Sequence, residues 1–232
     1  MNKKISDLIK LIVASAALGG VILSLFSAEA DGYSHPAKRL LYFTGQSNIW
    51  IGLVLIFIVV ATNVRPISDN ERLVSLLYTL RYVFVVSITV TGFIFCAVLA
   101  PGAGNADYNA WGISSILTHV LAPTLAIFDF FFDKVKPRVT KKALFASLIP
   151  LLAYAVFATV LFVFNVDFGR GEPFPYFFLN HSSPAGVFGT SDVMPYRIGS
   201  FYWMVFILLV VLGISALYRW IYNKTSEEKK NR

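Results

Sequence analysis

The sequence predicts an all-α fold: a polytopic membrane protein, a six-transmembrane helix bundle forming one domain over residues 1–232. Three observations carry this. Hydrophobic residues make up 56% of the 232 and charged residues only 14%, against roughly 25% charged in an ordinary soluble domain. Six apolar stretches, about 8–26, 42–62, 75–99, 111–132, 143–166 and 197–222, are long enough to span a hydrocarbon core at about 1.5 Å per residue. The basic residues are also unevenly shared between the joints. Lys3, Lys4, Lys10, Arg65, Arg72, the five from Lys134 to Lys142 and the five from Arg219 to Arg232 fall on one side, and Lys38, Arg39, Arg170 and Arg197 on the other. That asymmetry predicts cytoplasmic termini and outward-facing segments 27–41, 100–110 and 167–196.

The net charge of +7 sits in short joints beside apolar spans, where positive-inside bias accounts for it, so no nucleic-acid partner is expected. With Cys96 as its one cysteine, the chain forms no intrachain disulfide and no cysteine metal cluster.

The first stretch has a competing reading. MNKK before an apolar run, with FSAEA after it, resembles a secretory signal peptide. The run of about 19 residues exceeds the usual 7–15 of a signal core, so a retained helix is expected. The second stretch opens with YFTGQSNIW, where helical spacing puts Thr44, Ser47 and Asn48 on one face and turns Gln46 elsewhere. Such groups at a helix start also serve as caps or as glue between helices.

The third stretch carries Arg81 about six residues from its inner end, and the fourth carries Asp129 about three from its own. Charges within a span need partners, so these two are expected to form a structural ion pair between neighbouring helices.

His119 is the one histidine inside a span, and Pro123 follows it by four. Proline has no N–H, so the carbonyl of His119 loses its helical partner and the helix is expected to bend there. Lipid cannot satisfy that carbonyl; protein, a polar ligand or water must. Gly112, Ser115, Ala122, Pro123 and Ala126 share the face of His119, for close packing or for a lipid tail. Among side chains in the spans His119 is the natural proton acceptor. Thr44 lies near the outer interface and His119 about 12 Å below Trp111, so direct contact between them requires tilt to remove several ångströms.

The fifth stretch leads into a long outer segment, about 167–196, containing EPFPYFFLNHSSP with Asn180 and His181. It is expected to fold over the outer mouth of the bundle or to form an aromatic belt.

Taken together, FTGQSN, LRYVFVVSITVTG, His119 with Pro123 and Asp129, and PFPYFFLN resemble the androgen-induced-gene-like integral membrane family, whose bacterial members are labelled Pr6Pr family membrane proteins. Eukaryotic members hydrolyse fatty acid esters of hydroxy fatty acids with a threonine and a histidine. The resemblance implies Thr44 as nucleophile and His119 as base, a membrane lipid or fatty acid ester as substrate, no metal or cofactor, and residence in a bacterial cytoplasmic membrane. Asn48 is the best-phased donor to an oxyanion, with Gln46 or backbone N–H groups as alternatives; Ser115 and Asn180 are further candidates for contact with substrate. The rival expectation is a non-enzymatic lipid-binding protein or small-solute transporter with His119, Arg81 and Asp129 along its path.

Overall fold

The computed structural model describes residues 2–102, 110–133, 137–169, 171 and 173–230. Residues 103–109, most of the expected joint 100–110, lie outside the described residues, as do Lys134, Lys136, Arg170 and Arg232 of the charge count. Among the described residues six helices are long and apolar enough to cross a membrane: α1 Lys3–Phe26, α2 Phe43–Asn63, α3 Glu71–Leu99, α4 Ile113–Phe132, α5 Lys141–Val163 and α6 Ser200–Ser226. The chain is 74% helical without strands among the described residues, and one isolated bridge joins Thr190 to Ile198.

Three helices start before their apolar runs because their caps sit in polar joints. The side chain of Asn2 accepts from Lys4 N, that of Asn70 from Leu73 N, and that of Thr140 from Ala143 N. Lys3 bonds to Asn63, Lys10 Nζ reaches Asp133 Oδ2 at 2.9 Å, and Val139 N donates to Asn223 Oδ1 at 2.9 Å. So α1 and α5 begin where α2, α4 and α6 end, on one face of the bundle, here the termini face.

Of the six helices, α3 is the most buried, and α5 and α6 are the least. Val13 and Ala17 of α1, Ile51, Leu55 and Ile58 of α2, and Val86 and Ile88 of α3 belong to one buried core. Close approach replaces bulk where α1 meets α4: a Cβ on Gly20 would lie 2.8 Å from Thr118 Cγ2, so only glycine fits there. The small face of α4 is used in the same way. Ala122 and Ala126 are wholly buried, so packing occupies that part of the face and leaves no slot for a lipid tail.

The ion pair of Arg81 and Asp129 is present, at 2.6 Å, as half of a larger cluster. Arg81 Nη1 also meets Asp133 Oδ2 at 2.5 Å, and Lys10 of α1 contacts Asp133 at 2.9 Å and Asp129 at 3.3 Å. Ser6 Oγ donates to Asp133 Oδ1 at 2.7 Å. Two cations and two carboxylates, almost fully buried, thus tie α1, α3 and α4 together near the termini face.

Candidate functional site

The site lies at the opposite end of the bundle. A short 3₁₀ segment, Pro36–Leu41, leads to Tyr42, whose extended backbone starts α2 without a side-chain cap. Thr44 is therefore the second helical residue, in the turn where backbone N–H groups lack intrahelical acceptors.

His119 reaches Thr44 from α4. Around it the helix widens into a π-type turn, Leu117–Leu121, immediately before the Ala122–Pro123 step. The carbonyl that Pro123 deprives of its partner faces α3, where a Cβ on Gly92 would sit 2.8 Å from His119 O and 3.2 Å from Pro123 Cβ. Protein fills the bent turn, and the glycine lets it do so. A second π-type turn, Phe95–Leu99, ends α3 and carries Phe95 onto the imidazole, the rings stacked at 4.0 Å and 16°.

Thr44 Oγ1 and His119 Nε2 are 3.2 Å apart. On the other side of the ring, Nδ1 lies 3.0 Å from the carbonyl oxygen of Ser115, 3.1 Å from Ser115 Oγ and 3.3 Å from Thr118 Oγ1. A carbonyl only accepts, so Nδ1 carries the proton and donates it to Ser115 O. Nε2 then presents a lone pair to the Thr44 hydroxyl. A backbone carbonyl thus holds the imidazole in the tautomer and orientation that a carboxylate supplies in a serine triad.

Thr44 and His119 border a cavity of about 410 Å³, within the usual 300–1,000 Å³ of small-molecule sites. Ser115 and Asn180 also line it. Gln46 and Asn48 do not. The Asn48 amide donates to Thr44 O at 2.9 Å and to Thr118 O at 3.1 Å, which uses both of its hydrogens to join α2 to α4. Gln46 Nε2 donates to Leu40 O at 3.3 Å. Helical phase put Asn48 on the face of Thr44 and turned Gln46 elsewhere, and backbone carbonyls engage both amides. The expectation that either side chain serves an oxyanion is corrected accordingly. Arg81 and Asp129 are also absent from the cavity wall.

The described part of segment 167–196 folds over the cavity mouth. Phe174, Pro175, Tyr176, Phe177 and Asn180 all face the cavity. Ties at its start and its middle hold the segment: Lys38 Nζ pairs with Asp167 at 3.0 Å, and His181 bridges Thr159 and Ser200. Tyr176 packs edge-on against Tyr42 at 5.9 Å and lines the cavity with Thr44; burial pushes its phenol up to about 12. At neutral pH it is therefore a neutral hydroxyl in the same cavity wall as Thr44.

Sequence reasoning gave no individual site role to Tyr176, Phe95 or Arg39. Arg39 lines the cavity with its guanidinium paired to Asp31 and lying 4.2 Å from the Tyr33 ring centroid. Tyr176 and Phe95 are aromatics in apolar surroundings, and nothing in their spacing separates them from packing residues. No family model, curated protein or solved structure matches the chain.

Proposed function

We propose that this protein is an intramembrane hydrolase of lipid esters, with Thr44 as nucleophile and His119 as general base. The observation that carries this reading is the Thr44 hydroxyl 3.2 Å from His119 Nε2 in the wall of a cavity roofed by the outer segment. Thr44 Oγ bonds to the ester carbonyl carbon as its proton passes to Nε2. Collapse of the tetrahedral intermediate breaks the bond to the alkoxy oxygen, which takes the proton from His119 and leaves as the alcohol. Water then attacks the acyl-threonine, giving its proton to His119, and Thr44 recovers that proton as the carboxylic acid departs. The uncapped first-turn N–H groups of α2 and the Tyr176 hydroxyl are the donors for the oxyanion. This chemistry calls for no metal or cofactor.

Membership of the androgen-induced-gene-like family is part of this proposal. The resemblance implies fatty acid esters of hydroxy fatty acids as substrates, with the hydroxy acid as leaving alcohol. The positive-inside charge count favours cytoplasmic termini in a bacterial inner membrane and a cavity at the outer face.

The test is a panel of lipid esters offered to purified protein in detergent, with Thr44→Ala, His119→Ala and the double variant beside it. Because nucleophile and base act as a unit, each single variant should lose nearly all that the double variant loses, about 10²- to 10⁴-fold in turnover. Wild-type turnover in Thr44→Ala refutes the assignment.

A further inference from the structure

The cavity that holds Thr44 and His119 also holds a charge. Arg39 is the one fully charged side chain among the described residues that line it. Its side chain is 13% exposed and pairs with that of Asp31, 21% exposed, which stands outside the wall. The pair therefore turns its positive end to the cavity.

The guanidinium is held in place from several sides. It lies 4.2 Å from the centroid of the Tyr33 ring, and a Cβ on Gly169 would sit 2.3 Å from Tyr33 Cδ1, so that ring is itself packed against the outer segment. A Cβ on Gly45 would sit 3.0 Å from Arg39 O, which sets the Arg39 backbone against the first turn of α2, beside Thr44. A planar guanidinium that is already oriented loses little freedom when it binds an oxyanion.

The charge decides what the cavity accepts. A neutral amphiphile filling it would take water from the guanidinium and return little. An amphiphile with one negative charge replaces that water by charge-assisted hydrogen bonds, and the planar fork matches both carboxylate and phosphate oxygens. A second negative charge would find no further cation among the described wall residues.

We propose that Arg39 is an anion anchor and that this protein cleaves amphiphilic esters bearing a single negative charge, a carboxylate or a phosphodiester. This rests on the ester-hydrolase proposal above and narrows it. The anchor and the Thr44–His119 pair share one cavity, so the head group is read in the chamber where the ester reacts. Selection then falls on the charge of the substrate and sets no limit on the length of its acyl chain.

The experiment compares kcat/KM for detergent-purified wild type, Arg39→Gln, Arg39→Lys and Asp31→Asn on two matched pairs. One pair is the palmitic ester of a hydroxystearic acid and the methyl ester of the same molecule. The other is palmitoyl lysophosphatidylglycerol and monopalmitoylglycerol. Wild type should prefer the charged member of at least one pair, and the pair in which it does so tells carboxylate from phosphodiester. Losing charge-assisted hydrogen bonds, Arg39→Gln should lower that charged-to-neutral ratio about 10- to 100-fold, through KM. Arg39→Lys keeps the charge without the fork and should recover part of the ratio. Asp31→Asn keeps the anchor and should not lower it. An Arg39 that only braces the two loops would instead give equal losses on both members of each pair, with Asp31→Asn behaving like Arg39→Gln. That result, or a wild type indifferent to charge in both pairs, overturns the anchor and leaves the hydrolase reading in place. No cleavage of any ester, on these pairs or on the lipid panel, overturns both.

Discussion

Lys10 and Asp133 form the contact whose removal is most diagnostic for the bundle. Their side chains are 2% exposed and 2.9 Å apart, and Asp133 also holds Arg81 at 2.5 Å. At an effective dielectric of about 20, each such contact is worth about 4 kcal/mol of Coulomb energy. Desolvation offsets much of that while the cluster is intact, since two cations and two carboxylates balance. Asp133→Asn leaves the cluster at +1 and Lys10→Met leaves it at −1. Stranding a buried charge costs about 3–5 kcal/mol, and for a chain of this length each kcal/mol lowers the melting temperature by about 2–4 °C. Each single variant should therefore melt about 6–20 °C lower.

The double variant restores neutrality and leaves the pair of Arg81 and Asp129 intact at 2.6 Å. Its loss should fall short of the sum of the two single losses by about 0.5–3 kcal/mol, the usual range for residues in one network. Tryptophan fluorescence on heating in detergent measures all four proteins. Strict additivity, or single variants that melt within about 2 °C of wild type, would refute the claim that α1 is fastened by charge.

Gly92→Ala puts a Cβ 2.8 Å from His119 O; the overpacking should cost about 1–3 kcal/mol, and turnover should fall as the imidazole shifts, while melting and kinetics both like wild type would show that the close approach is slack. His181 lies between Ser200 Oγ at 2.8 Å and Thr159 Oγ1 at 3.2 Å, and burial holds its pKa below the ordinary value. The folded form then binds fewer protons than the unfolded form, so stability should be lost as pH falls through about 6.5, and a melting curve series should show that slope flattened in His181→Gln. For sidedness, Ser182 and Lys224 are both exposed at opposite ends of the bundle. In a Cys96→Ala background, an impermeant thiol reagent on intact cells should modify Ser182→Cys and spare Lys224→Cys; the reverse would turn the cavity toward the cytoplasm.

The six spans were legible because a bilayer-length apolar run leaves few other structures for a chain to adopt. Their starts were less so: Asn2, Asn70 and Thr140 begin helices in polar sequence, where hydropathy gives no signal. Thr44 and His119 were legible too as polar groups within spans, but their contact was not. Counting from Trp111 put His119 too deep, since α4 begins at Ile113 and the two residues remove about 3 Å, and no one-dimensional pattern announced the π-type turn that carries the imidazole. Asn48 shows the limit of helical phase: spacing set its face, but the carbonyls of Thr44 and Thr118 decided what its amide does. Lys10 and Asp133 went the other way. Each sits near a helix end, where a charge count assigns it to the interface, and only the junction of α1, α3 and α4 buries both. A polar residue at the edge of a span therefore takes its role from whichever helix packs beside it, and that neighbour is information the local sequence does not contain.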